Sequence, residues 1–296
     1  MVNERDLRTI IEEVLSEMNI SVNKKEENVQ TQENSCPACQ IEEGYIPDIT
    51  EVDIRTQYLV EEPVNKEAYY DLKQFAPCRL GIGRAGARYK TDPSLQFRAA
   101  HSAAQDAVFS DVDQEFIDKM GFFSVQTQCD SKDIFLTRPD LGKKLNEDGV
   151  KIVSEKCKKN PMVQIFVADG LSSASVAANV ADLLPAIIQG LKSYGTEVGT
   201  TFFCKYGRVG VMDQISEITG ATVTCVLIGE RPGLITAESM SAYIGYKCTV
   251  GMPEARRTVV SNIHKDGTIP AEAGAHIAEI IKKILDNKAS GTDLKL

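Results

Sequence analysis

Four groups of residues in this chain have types and spacings suited to chemistry. Cys36 and Cys39, in CPAC, have the separation of half a zinc site or of a redox pair. Zinc would need a second such pair, and a thiol–disulfide centre would need a βαβ unit around the motif; neither is visible in the sequence. GIGRAG at 81–86 satisfies the G-x-G-x-x-G spacing that lets backbone approach a pyrophosphate, provided that a strand precedes it and a helix opens within it. FAPCRL carries Pro77 where that strand would be, and ARYKTDP intervenes before any helix, so the segment reads as a glycine-rich loop. His101, His264 and His276 lie far apart and offer little acid–base chemistry, His101 being expected as a hydrogen-bonded structural histidine. The fourth group is three short segments: Asp169-Gly170-Leu171-Ser172, Tyr206-Gly207-Arg208-Val209 and Gly229-Glu230-Arg231-Pro232-Gly233. Their Asp, Arg and Glu supply donors and acceptors, and their glycines admit a ligand close to backbone. The competing reading is that Asp169 and Glu230 cap helices or pair with Arg208 or Arg231.

The elements that position these segments explain their spacing. MVQIFVA (162–168), VGTTFFCK (198–205) and ATVTCVLI (221–228) are apolar runs without alternation, the pattern of strands buried on both faces. Between them lie helical patterns, from about Ser175 to Tyr194 and through Met212, Ile215 and Ile218 to Gly220. Strand, helix, strand, helix, strand with short links predicts a parallel sheet, and ligands of such sheets bind beyond the strands' carboxyl ends. Each of the three segments falls at such an end. Upstream, Asp92 and Pro93 are expected to open a helix, and TRPDLG (137–142) to open another running to about Lys158.

Leu7, Ile10, Ile11, Val14, Leu15 and Met18 form one apolar stripe at helical spacing in residues 1–19. Residues 20–47 are polar and aperiodic, as in a flexible linker, so the stripe reads as a docking peptide on a tether, the competing reading being a helix that folds back on its own core. The net charge of −9 and the scatter of basic residues exclude the footprint of a nucleic-acid binder. No run reads as a membrane span or secretory signal, which points to a cytoplasmic protein with reduced cysteines. The sequence also lacks a P-loop, a nucleophile elbow and a cysteine–histidine pair, and so reads as a binding domain in need of a catalytic partner.

GRAG (83–86), FRAAHS (97–102), LTRPDLG (136–142), ADGLSS (168–173), KYGRV (205–209), DQISEITGA (213–221), GERPGL (229–234), ESMSAY (238–243), RRTVVSNIH (256–264) and KASG (288–291) together resemble the small subunit of ethanolamine ammonia-lyase, colinearly from about residue 75 onward. The resemblance implies a Rossmann-like parallel sheet flanked by helices over 159–296, preceded by a mainly helical region over 48–158 that packs on the large subunit. It implies an adenosylcobalamin-dependent elimination that converts ethanolamine to acetaldehyde and ammonia, with substrate and catalytic residues on a TIM-barrel large subunit. The family's corrinoid contacts fall on Val209, Glu230 and Val259; relatives can carry cysteine at the last position, so the valine could contribute only packing or backbone. No D-x-H-x-x-G loop occurs, so the cofactor would keep its own lower base. Residues 1–19 then look like a peptide for packaging into bacterial microcompartments. The rival readings are a non-catalytic adaptor and a free-standing enzyme using the three loops.

Overall fold

The computed structural model describes Val52, residues 56–75 and residues 78–295. The stripe at 1–19, the linker at 20–47 and the CPAC pair lie outside them. Contacts divide the chain between Ile46 and Pro47, and the described residues belong to the second unit.

Five helices precede or interleave with the first strands: α1 (Lys66–Gln74), α2 (Thr91–Phe109), α3 (Gln114–Lys119), α4 (Lys132–Thr137) and α5 (Glu147–Lys156). A two-residue-per-strand hairpin, β1 (Arg84–Ala85) and β2 (Arg88–Tyr89), forms from the glycine-rich loop, and among the described residues no strand precedes it and no helix opens inside it. The main sheet contains β3 (Ser124–Gln126), β4 (Val163–Ala168), β5 (Phe203–Lys205), β6 (Val223–Gly229), β7 (Met240–Tyr246) and β8 (Arg257–Ile263), in the order β3-β5-β4-β6-β7-β8. The first four are parallel, and β7 and β8 run antiparallel. Helices α6 (Ser173–Ser193), α7 (Val211–Thr219) and α8 (Pro270–Asn287) complete the layers.

Every residue of β4 and β6 is buried, as their unbroken apolar runs predict. Alternate residues feed two cores. Ile165, Val167, Cys225 and Leu227 meet Leu183, Ile187 and Ile281 of α6 and α8. Phe166, Val226 and Ile228 meet Val153, Met212 and Ile215 of α5 and α7 on the other face. A fully buried Leu, Ile or Val contributes about 1.5–3 kcal/mol, so these two layers dominate the stability of the sheet. Among the described residues α6 is the one helix with the length and hydropathy of a membrane span. Its Val176, Val180, Leu183, Ile187 and Leu191 are nevertheless fully buried within this core.

Local hydrogen bonding moves several predicted boundaries. The expected helix from Pro139 to Lys158 is a 3-10 turn (Leu141–Lys143) followed by α5, because Asn146 caps α5 by accepting from the Gly149 N–H at 2.7 Å. The strand expected over 198–205 is regular only at β5, since the Gln164 amide donates to the Thr200 carbonyl at 2.7 Å and interrupts the ladder. Helix α2 begins at Thr91, and the Asp92 carboxylate accepts from Gln57 and Gln96 instead of capping. Helix α6 begins two residues earlier than its pattern suggests, because Ser172 accepts from the Ser175 N–H. His101 is exposed on α2.

Helices α6 and α8 pack closely through small residues. A Cβ added to Gly274 would stand 2.5 Å from the Ala186 Cβ and 2.9 Å from the Leu183 carbonyl, and one added to Gly190 would stand 2.6 Å from the Ala278 Cβ. Gly274→Val should therefore force the helices apart and cost about 2–3 kcal/mol. Equilibrium urea unfolding would check this, and an unchanged midpoint would show that the helices can separate freely.

Candidate functional site

Helices α6 and α7, which follow the adjacent strands β4 and β5, lie on opposite faces of the sheet, so the topological switch point lies between those two carboxyl ends. Asp169 fills it. Its side chain is almost wholly buried and accepts from the Tyr206 N–H at 2.9 Å and the Gly207 N–H at 3.1 Å. These bonds hold Tyr206 in the left-handed region, at φ 58°. On the other side, the Leu171 N–H donates to the Gly229 carbonyl at 3.1 Å, and a Cβ on Gly229 would sit 2.3 Å from the Ser172 carbonyl. Gly170, at φ 55°, has the Gly229 carbonyl 2.3 Å from where its Cβ would be. Gly170 and Gly229 thus let the β4 and β6 loops approach one another, and Asp169 ties β4 to β5.

The arginines do not pair with these acids. The Arg208 guanidinium lies over the Phe135 ring at 4.1 Å and donates to the Phe135 carbonyl at 2.7 Å. Glu230 instead accepts from the hydroxyls of Ser239, at 2.6 Å, and Ser241, and from the Asn262 N–H at 3.1 Å. Asn262 stands at φ 61°, where the β7–β8 register slips. Glu230 therefore links the loop after β6 to the carboxyl end of β8.

Strand register puts Val259 on the face that Val209 and Glu230 reach from the neighbouring loops. Val226 of β6 pairs with Tyr243 of β7, and Tyr243 pairs with Val259 of β8, so all three side chains point the same way. That is the α5/α7 face, where half-buried Val209 and Tyr243 pack against the same core. Ser241, two residues from Tyr243, carries the Glu230 contact on this face. Helix α8 covers the other face of β6–β8, while on this one Val259 remains 43% exposed and Ser261 is exposed. Val209 and Val259 are fixed relative to each other by a buried ion pair. Arg257, at the start of β8, donates to both oxygens of Asp213, in the first turn of α7, at 2.9 and 2.8 Å, and to Glu254.

This face holds acceptors and apolar surface but no evident nucleophile. Burial favours the protonated form of the thiols within the sheet layers, raising Cys157 to about 11, Cys225 and Cys248 to about 12, and Cys204 well above its usual value. Both ring nitrogens of His264 are engaged, Nε2 with the Asn262 Oδ1 and Nδ1 with the Asp266 N–H, and His276 is exposed on α8. No cluster of three or more His, Cys, Asp or Glu suited to a metal occurs among the described residues. A cavity of about 290 Å3, with Lys247, Arg256 and Lys288 in its wall, lies at the opposite edge of the sheet, near the start of β6. Sequence reading missed Ser239, Ser241, Tyr243, Asn262, Asp213 and Arg257, although ESMSAY, RRTVVSNIH and DQISEITGA contain all six.

The family profile described as ethanolamine ammonia-lyase light chain matches residues 66–295. The chain is 59% identical over 298 residues to the ethanolamine ammonia-lyase small subunit of Clostridium tetani, covering 100% of both. It is 57% identical over 295 residues to that of Clostridium perfringens, covering 99% of this chain and 100% of the relative. It is 56% identical over 296 residues to that of Fusobacterium nucleatum, covering 100% of both.

Burial pushes the Asp169 carboxyl up to about 6 from 3.8, against the opposing pull of the Tyr206 N–H and the Lys132 charge. The folded chain thus holds this proton more tightly than the unfolded chain, so ionised Asp169 costs stability above pH 6. That cost is relieved as the pH falls from about 6 toward 3.8, with no further gain below. Relative to Asp169→Asn, which cannot titrate, the wild type should gain about 2 kcal/mol between about pH 7 and about pH 4.5 in denaturant unfolding. Parallel pH profiles for the two proteins would contradict the assignment.

Proposed function

Because the chain belongs to the ethanolamine ammonia-lyase small-subunit family, we propose that it completes the adenosylcobalamin site of a two-subunit lyase converting ethanolamine to acetaldehyde and ammonia. The observation that carries this reading is that Val209, Glu230 and Val259, far apart in sequence, share one face of the sheet. With Tyr243 they offer an apolar surface beside a single held carboxylate. A corrinoid, a broad macrocycle fringed with amide groups, suits that combination: the valines and Tyr243 would pack against it, and Glu230 would accept from an amide or a ribose hydroxyl. The engagement of both His264 nitrogens supports the base-on form, in which the cofactor keeps its own lower ligand. When bound, the cofactor supplies the radical that removes hydrogen from the substrate. This chain's part is to bind and orient, with Asp169 and the Arg257–Asp213 pair keeping the face in register.

The large subunit, a TIM barrel in this reading, would hold the substrate and cover the upstream helices. Helix α2 buries only Pro93, Gln96 and Ala107 of its 19 residues. Phe109 is 56% exposed, and on and just after α1 Leu72 and Phe75 are 62% and 87% exposed. Surface of this kind suits a permanent partner. We place the complex in the cytoplasm, inside bacterial microcompartments reached through residues 1–19.

Ethanolamine deamination with added adenosylcobalamin should occur when this chain and its large subunit are co-expressed and in neither alone. Turnover by this chain alone would overturn the subunit reading, and an inactive co-expressed pair would count against ethanolamine as substrate. A fluorescent protein fused to residues 1–19 should form puncta in cells making the shells; diffuse fluorescence would remove the packaging role.

A further inference from the structure

The Glu230 carboxylate keeps one acceptor position beyond those its neighbours take. An ionised carboxylate offers about four lone-pair positions and no donor. Three are taken: the Ser239 hydroxyl donates to Oε2 at 2.6 Å, and the Ser241 hydroxyl and the Asn262 N–H donate to Oε1. The supports are rigid in their turn. Ser239 and Ser241 are buried, and the Glu230 N–H donates to the Ser239 carbonyl at 3.0 Å.

Asn262 is held in its left-handed conformation from both sides. Its carbonyl accepts from the Thr268 N–H at 2.9 Å, and its Oδ1 meets His264 Nε2 at 2.9 Å. Gly267 closes against this turn so tightly that an added Cβ would lie 2.4 Å from the Asn262 carbonyl oxygen. The backbone N–H of Asn262 therefore points at Glu230 through geometry that the turn enforces.

We propose that Ser239, Ser241 and Asn262 are positioning residues that leave one acceptor position of Glu230, on Oε2, as a selector for a neutral N–H or O–H donor. This rests on the reading of Glu230 as a corrinoid contact and adds a specificity to it. A peripheral amide satisfies the remaining lone pair, whereas a carboxylate at the same place repels Glu230 and leaves that acceptor unpaired. The three supports favour this selection because a carboxylate fixed by three donors cannot swing away from an unwanted anion.

The test is binding, not turnover. The co-expressed two-subunit complex is titrated by absorbance with hydroxocobalamin and with its monocarboxylate derivatives, in which one peripheral amide is hydrolysed. Wild type should bind hydroxocobalamin at least about tenfold more tightly than one of those derivatives. Ser241→Ala and Ser239→Ala should each weaken hydroxocobalamin binding by about three- to tenfold and narrow its lead over that derivative, while Ser241→Thr, which keeps the hydroxyl, restores both. Size-exclusion chromatography establishes that each variant complex is assembled; if an alanine variant fails to assemble, the Ser241→Thr and Ser241→Cys pair gives the same comparison of a strong with a weak donor. Two results overturn the proposal in different ways. If both serine variants match wild type in affinity and discrimination while Glu230→Ala weakens binding, the supports are not positioning residues but Glu230 remains a contact. If Glu230→Ala also binds like wild type, the cofactor-face reading fails with it.

Discussion

The carboxyl edge of the sheet depends on one buried carboxylate. Asp169 ends the central strand β4, and its oxygens hold the Tyr206 and Gly207 N–H groups at the end of β5. Without these bonds two backbone donors would face the interior unpaired, at a cost of about 1–3 kcal/mol each. The loop they close runs directly through Arg208 and Val209 into α7. On the other side of Asp169, Gly170 and Gly229 bring the β4 and β6 loops into backbone contact. The positions of Val209 and Glu230 are thus set relative to one carboxylate before any ligand is considered.

From that point the order propagates across the sheet by two polar links. Arg257 and Asp213 join β8 to the first turn of α7 within a nearly dry environment. Such a pair adds little net stability against apolar replacements, but losing one partner would strand a buried charge, so it acts mainly as a register constraint. Glu230, with Ser239, Ser241 and the Asn262 N–H, joins β6 to β7 and to the bend in β8. These links hold the four separate segments carrying Val209, Tyr243, Val259 and Glu230 on one face, the one proposed to meet the cofactor.

The parallel centre of the fold was legible because β4 and β6 are buried on both faces and their sequences carry no polar alternation to obscure them. Strands β7 and β8 were not, since MSAYIGY and RTVVSNI mix glycine, serine and exposed positions, and their strand character comes from pairing with β6. Short β3 is likewise a product of pairing with β5. The three loops were found, but that Gly170, Gly229 and Asp169 also hold the loops against one another is a distinction that no single-chain pattern encodes. Ser239, Ser241 and Asn262 escaped notice because their significance lies in converging on Glu230 from distant positions. Val259 could be reached only through resemblance: a valine in a strand bears no local mark of function.

The most direct test of the proposed cofactor face is hydrogen–deuterium exchange on the two-subunit complex, with and without hydroxocobalamin. Added protection is expected in 206–212, 229–234 and 257–263 together, since all three segments border the same face, with little change at 246–256 on the opposite edge. Protection confined to 246–256, or none in the three segments, would contradict it.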